Sequence, residues 1–202
     1  VAKAVYGAMK NGEPKNAEEW GAAYANGSAS YEDDATAKKA IDELNKKIYD
    51  RSDKKINALY DSGRKISLET FEEVYRRLGT HFDYYFFESE MAKPGLEAVN
   101  RFLGKGVFEK SDGAVVFKGE KHGLHTRVFI TSQGLPTYET KDMGLAKKKI
   151  ELEKNLASSI IVTANEQNDY FKVVFRALSF IFPDYAKISK HIGHGMLRFA
   201  EG

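Results

Sequence analysis

Apolar residues recur at helical spacing through roughly the first eighty positions, and short apolar runs between glycine-rich turns replace them afterwards. The chain opens in a helical pattern at Val1. Ala35 to Tyr49 sets Ile41, Leu44 and Ile48 on one stripe, which predicts an amphipathic helix. Ile56, Leu59 and Tyr60 predict a further helix ending before Ser62-Gly63. Ser67 is expected to cap another, whose Leu68, Phe71, Val74 and Leu78 face inward and which Gly79 ends. These helices are expected to pack as a hairpin array over a sheet.

From Asp83 the pattern becomes α/β. Asp83 to Phe87 predicts a short strand, with Tyr84-Tyr-Phe-Phe87 buried rather than open for base stacking. Leu96 to Leu103 predicts a short helix closed by Gly104. Val107-Phe108, Ala114 to Phe117 and Arg127 to Thr131 predict strands of a small antiparallel element. A helix follows Thr137, and Ile160 to Thr163 predicts a buried strand. Next comes an amphipathic helix with Tyr170, Val173, Val174, Ala177, Leu178 and Ile181 at helical spacing, stopped by Pro183. Met196 to Phe199 predicts a last strand. A strand–helix–strand unit implies parallel pairing with a right-handed crossover. The fold class is α/β, with residues 1–80 a helical segment and 81–202 the α/β part.

Two stretches carry the candidate chemistry. Gly134-Leu-Pro-Thr-Tyr-Glu-Thr-Lys-Asp142 follows an apolar run, and Tyr138 and Asp142, four apart, share one helical face. In Ile160-Ile-Val-Thr-Ala-Asn-Glu-Gln-Asn-Asp-Tyr-Phe171, Gln167 sits just past the strand end, where parallel α/β sheets bind ligands. A carboxylate takes a planar guanidinium through two parallel hydrogen bonds, a fork that lysine cannot reproduce and whose charge citrulline lacks. Leaving such a buried carboxylate unpaired costs about 3–5 kcal/mol, roughly two to four decades of discrimination. The ligand these residues suggest is arginine. The plainer alternative is a helix start at which acidic residues favour the positive end of the dipole.

The same residues resemble a known family. Gly-x-Pro-Thr-Tyr-x-Thr-x-Asp, a strand, and Gln at the next helix start are similar to the second half of the class I arginyl-tRNA synthetase catalytic domain. Earlier and later landmarks agree: Leu78-Gly-Thr-His-Phe-Asp83, Phe87-Glu-Ser89, Ser111-Asp-Gly113 and His191-Ile-Gly-His-Gly-Met196. The resemblance implies the second half of a Rossmann-like nucleotide-binding fold, with residues 1–80 as a helical insertion. It implies that Tyr138 and Asp142 recognise the arginine side chain and that Gln167 helps hold it. It implies adenine-side roles for His191, Gly195 and Met196. The family usually carries His three residues after the glutamine. This chain has Tyr170 there, which puts the role of that His in doubt.

His191-Ile-Gly-His194 spells the HIGH signature of class I synthetases, but that signature belongs after the first strand, opening a helix that faces the ATP phosphates. So late in the chain, beside an expected strand, it is not expected to do that work. With neither an upstream HIGH helix nor a KMSKS loop, the chain is expected to be an internal piece of a longer enzyme that binds without catalysing.

Composition bounds the rest. The 202 residues carry a net charge of +2 and no cysteine, which excludes disulfides and thiolate-held metals and does not advertise a nucleic-acid binder. No apolar run approaches the roughly 18 residues of a membrane span, and no signal peptide is expected. Lys147-Lys-Lys149 is expected to be a solvated helix face rather than a tRNA contact. His122 and His125 beside Glu120 lack a further ligand at useful spacing for a metal. Glu88 and Glu90, on one side of an extended strand end, are expected to face water.

The function implied is ATP-dependent activation of L-arginine and its transfer to tRNA(Arg), with Mg²⁺ arriving as the ATP complex, in a cytoplasmic enzyme expected to be monomeric when intact. The alternative is a non-catalytic binding module that kept the fold for a cationic ligand or RNA. An α/β half-sheet exposes an edge and an apolar face, so monomer and dimer both stay open for the isolated piece.

Overall fold

The structure is a computed structural model that describes residues 1–195. The chain forms two compact units, one spanning Val1–Tyr84 and the other beginning at Tyr85.

Four helices make the first unit: α1 (Ala2–Asn11), α2 (Ala17–Asp33), α3 (Ala35–Asp50) and α4 (Lys54–Arg77). Each of the last three starts on a capping side chain. Asn16 accepts from the Glu19 amide at 2.9 Å, Asp34 from Thr36 at 2.7 Å and Asp53 from Lys55 at 3.0 Å, satisfying amides the helix itself leaves open. Ile41, Leu44 and Ile48 are buried as their spacing predicts, against Val5, Trp20 and Ile56.

The second half of α4 departs from expectation. Residues 54–77 are one continuous helix. Ser67 therefore lies mid-helix, where its hydroxyl donates to the Gly63 carbonyl at 2.8 Å instead of capping a new start. Phe71, Val74 and Leu78 are exposed, Leu78 at 73%. The core takes this helix's first half instead, where Ile56 and Gly63 are buried.

Among its described residues the second unit is α/β, mostly helical with two small sheets. It contains α5 (Glu88–Phe102), β1 (Glu109–Ser111), β2 (Ala114–Phe117), β3 (Arg127–Ile130), α6 (Tyr138–Leu152), β4 (Ser159–Ala164), α7 (Asn168–Ile181), α8 (Pro183–Ile188) and β5 (Ser189–His194). Strands β1, β2 and β3 pair antiparallel in that order. Strands β4 and β5 pair parallel, from Ser159 opposite Ser189 to Ala164 opposite His194, so the parallel pair is made by residues 189–194, ahead of the stretch expected to form the last strand. Phe108, Phe117, Phe129, Met143, Val173, Val174 and Leu178 form the core.

Three expectations fail here. Residues 83–87 form no strand, and Tyr84 and Tyr85 are exposed rather than buried. Helix α5 begins at Glu88 and runs through Pro94 rather than starting at Leu96. Proline forfeits one intrahelical bond there, but Met91 and Gly95, flanking it, are both buried. Strand β4 is not buried on both faces: Ile160 and Val162 are exposed while Ser159 and Ile161 turn inward. His191-Ile-Gly-His194 lies within β5 and opens no helix, as expected, and the strand expected at Met196 to Phe199 lies outside the described residues.

Glycine lets two antiparallel helix pairs approach backbone to backbone. A Cβ on Gly7 would sit 2.0 Å from the Ala23 carbonyl oxygen, and one on Gly27 1.9 Å from that of Lys3, so α1 and α2 touch without side chains between them. In the second unit a Cβ on Gly95 would meet the Thr140 oxygen at 2.0 Å, and one on Gly144 the Met91 oxygen at 2.2 Å. That second contact seats α5 against α6, the two helices that wall the cavity described next.

Candidate functional site

The loop entering α6 is built by its own sequence. Gly134 takes φ 78°, a conformation side-chain-bearing residues avoid, and turns the chain back along β3. The Thr131 amide then donates to the Leu135 oxygen at 2.9 Å, and the Thr137 amide to the Phe129 oxygen at 3.0 Å. The buried Thr140 hydroxyl also donates to the Phe129 carbonyl. Two threonines one turn apart thus tie the start of α6 to β3, and Tyr138 and Asp142 follow on one face.

That face lines an open cavity of about 510 Å³ whose wall includes Glu88, Arg127, Tyr138, Asp142, Gln167 and Tyr170. All three residues predicted to contact arginine line it. Gln167 ends a 3-10 turn, Asn165–Gln167, between β4 and α7. Tyr138 is 65% exposed at the rim. Asp142 is half-buried, and its Oδ2 accepts from the Tyr170 hydroxyl at 2.5 Å.

Charge in the cavity is distributed unevenly. Glu88 pairs with the Lys141 ammonium at 2.8 Å, and Glu139 with the Arg127 guanidinium at 3.2 Å. Asp142 is bonded to a neutral phenol. Three carboxylates thus face two cations across this wall, a residual charge of about one negative. Burial pushes the Asp142 carboxyl above its ordinary value, and the hydrogen bond from Tyr170 opposes that rise. Burial, reinforced by Asp142, pushes the Tyr170 phenol up, so it donates rather than ionises. A site of this kind favours a compact monocation with several donors.

The adenine-side candidates fare differently. His191 lies on β5, one strand away, where Nε2 meets the Thr163 hydroxyl at 2.8 Å and the ring stacks on Phe171 at 4.4 Å. Thr163 and Phe171 both line the cavity, and His191 supports them from behind. Gly195 follows β5 in open space. Met196 lies outside the described residues.

Sequence reasoning missed Arg127 and Glu139, and left Tyr170 as a departure without a part. Glu88 faces water as expected, but from the first turn of α5 rather than a strand end, and it also lines the cavity. A polar residue opening an otherwise apolar strand was the signal for Arg127. The lysine run is not one solvated face. Lys147 pairs with Glu97 at 3.1 Å, while Lys149 is half-buried, reaches the Ser159 hydroxyl at 3.5 Å and has its basicity lowered by burial. His122 packs on Phe117 and Phe180, with Arg176 at 3.2 Å from its Nδ1. Among the described residues no group of three or more His, Asp or Glu is placed to hold a metal ion, and no helix is long and apolar enough to cross a membrane.

Comparison with known proteins is consistent with this geometry. A family model described as tRNA synthetases class I (R), catalytic domain, matches residues 10–201. The arginine–tRNA ligase of Flavobacterium psychrophilum is 31% identical over 148 residues, which is 73% of this chain and 25% of that protein. That of Porphyromonas gingivalis is 31% identical over 157 residues, 77% of this chain and 26% of that protein. The chain spans about a quarter of the length of these curated relatives. The crystal structure of arginyl-tRNA synthetase from Plasmodium falciparum matches with a TM-score of 0.68 at 17% identity, covering 96% of this chain and 34% of that one, a likeness of fold.

Proposed function

The chain belongs to the catalytic-domain family of class I (R) tRNA synthetases, and from that premise we propose that it carries the arginine side-chain pocket of an arginine–tRNA ligase. Residues 81–202 then correspond to the second half of a Rossmann-like nucleotide fold, and residues 1–80 to a helical insertion. The supporting observation is the charge pattern of the cavity. Asp142 has a neutral partner, while Glu88 and Glu139 are already paired with cations.

In this reading the arginine guanidinium forks onto Asp142, Tyr138 covers it from the rim, and Gln167 supplies a polar contact from the β4 end. His191, Gly195 and Met196 belong to the adenine side. In the intact cytoplasmic enzyme the arginine carboxylate oxygen bonds to the ATP α-phosphorus as the bond to pyrophosphate breaks, and a ribose hydroxyl of tRNA(Arg) then bonds to the arginyl carbonyl carbon as its bond to AMP breaks. Mg²⁺ arrives with the ATP phosphates as the substrate complex. The contribution of these residues is orientation: holding the side chain fixes where the reacting carboxylate lies.

The test is calorimetric titration of the 202-residue protein with L-arginine, L-lysine and L-citrulline. Arginine is expected to bind at least tenfold more tightly than either, and Asp142→Asn to remove the preference. Equal binding of lysine and arginine by the unaltered protein sinks the assignment.

A further inference from the structure

We propose that Tyr170 is a positioning residue of this cavity, its phenol holding the Asp142 carboxylate in place for a guanidinium ligand while its ring carries Arg127. The inference rests on the arginine reading and extends it to a side chain on a different element. Tyr170 comes from the first turn of α7 and Asp142 from the second turn of α6, so their 2.5 Å bond ties two helices across the cavity wall. The Arg127 guanidinium stacks on the opposite resource of the same side chain, its ring face, at 5.2 Å. One side chain therefore occupies both the anion that is to receive the ligand and a resident cation of the ligand's own chemical type.

A phenol suits this position for a physical reason. It donates a strong hydrogen bond to a carboxylate without bringing a positive charge. A lysine or arginine at 170 would neutralise Asp142 internally, as Lys141 neutralises Glu88 and Arg127 neutralises Glu139. The bond engages Oδ2, leaving Oδ1 and the second lone pair of Oδ2 for an incoming fork. The ring face keeps Arg127 occupied through cation–π attraction and its ion pair with Glu139.

The consequence is a pH signature. Desolvation raises the Asp142 carboxyl, the phenol bond lowers it, Glu139 and Glu88 raise it, and Lys149 lowers it. Arg127 and Lys141 line the same cavity, each paired with its own carboxylate. Removing the phenol donor leaves the rest in place, so the carboxyl must protonate at a higher pH. Arginine binding needs the ionised form and is lost on acidification at a correspondingly higher pH.

The experiment measures L-arginine affinity by calorimetry from neutral to acidic pH, alongside the Asp142 carboxyl titration followed by carbon NMR in ligand-free protein. Tyr170→Phe keeps the ring and removes the donor. It is expected to weaken arginine binding about tenfold at neutral pH and to move the acid limb upward. Tyr170→Gln, which restores a neutral N–H donor, should recover part of both. A Tyr170→Phe protein with uniformly weaker binding and an unmoved acid limb would show mere packing and overturn the proposal. So would one whose affinity and carboxyl titration match the unaltered protein. If the carboxyl titration moves while L-arginine binds neither protein, the positioning role stands and the ligand assignment falls.

Discussion

Gly144→Ala isolates how the fold holds the cavity open at its proper width. The added methyl would lie 2.2 Å from the Met91 carbonyl oxygen and 2.9 Å from the Gly95 nitrogen. Ordinary contact begins near 3.4 Å, so α5 and α6 must separate by about 1 Å or more, because backbone on both sides cannot rotate away. Overpacking costs about 1–3 kcal/mol, and collision with main chain belongs at the top of that range. Alanine returns about 1 kcal/mol of helix propensity. The net loss is about 2 kcal/mol, or roughly 6–10 °C of melting temperature for a unit of this size. Gly21→Ala is the control: its Cβ would meet nothing within 4 Å, so it should stabilise by about 0.5–1 kcal/mol. Urea denaturation reads both, and arginine affinity should fall in the Gly144 variant because Glu88 and Met91 move away from Asp142. If Gly144→Ala proved as stable as the unaltered protein, with Gly21→Ala stabilising as expected, the helices would not be held by this contact.

Three other outcomes are expected. Asp142→Asn should raise the melting temperature of the ligand-free protein at neutral pH while it loses arginine binding. The Asp142 carboxyl lies above its ordinary value when folded, so its ionisation costs stability that returns as pH falls through that raised value, and a melting-temperature difference unchanged on mild acidification would contradict this. Tyr185→Phe removes a buried 2.8 Å bond to Ser159 and should cost about 1–2 kcal/mol in chemical denaturation; no cost would mean the bond is not made. Ser67→Ala should be neutral or stabilise by up to about 0.5 kcal/mol, since Ser67 lies mid-helix, whereas loss of a cap would cost about 1 kcal/mol; the sign of the measured change decides which.

What could be read from residues alone was local. Ile41, Leu44 and Ile48 lie on one buried stripe because their spacing matches one turn of helix. The Gly134-Leu-Pro-Thr-Tyr motif turns and starts α6 because Gly134 supplies the positive φ and two threonines reach the same strand carbonyl. Tyr138 and Asp142 share a face for the same geometric reason, and α7 announced itself through its apolar spacing. Where the reading failed, a partner distant in sequence decided. Phe71, Val74 and Leu78 have the spacing of a buried stripe, yet the core takes the other half of α4. Strand β4 is as apolar as a doubly covered strand, yet Ile160 and Val162 lie open. Only tertiary structure brings Arg127 of β3, Glu88 of α5 and Tyr170 of α7 to one wall and pairs the charges so that Asp142 keeps a neutral partner. Backbone conformation is set within a few residues by sterics and hydrogen bonds, whereas burial and charge balance depend on which surfaces meet, and for Asp142 the answer lies twenty-eight residues away at Tyr170.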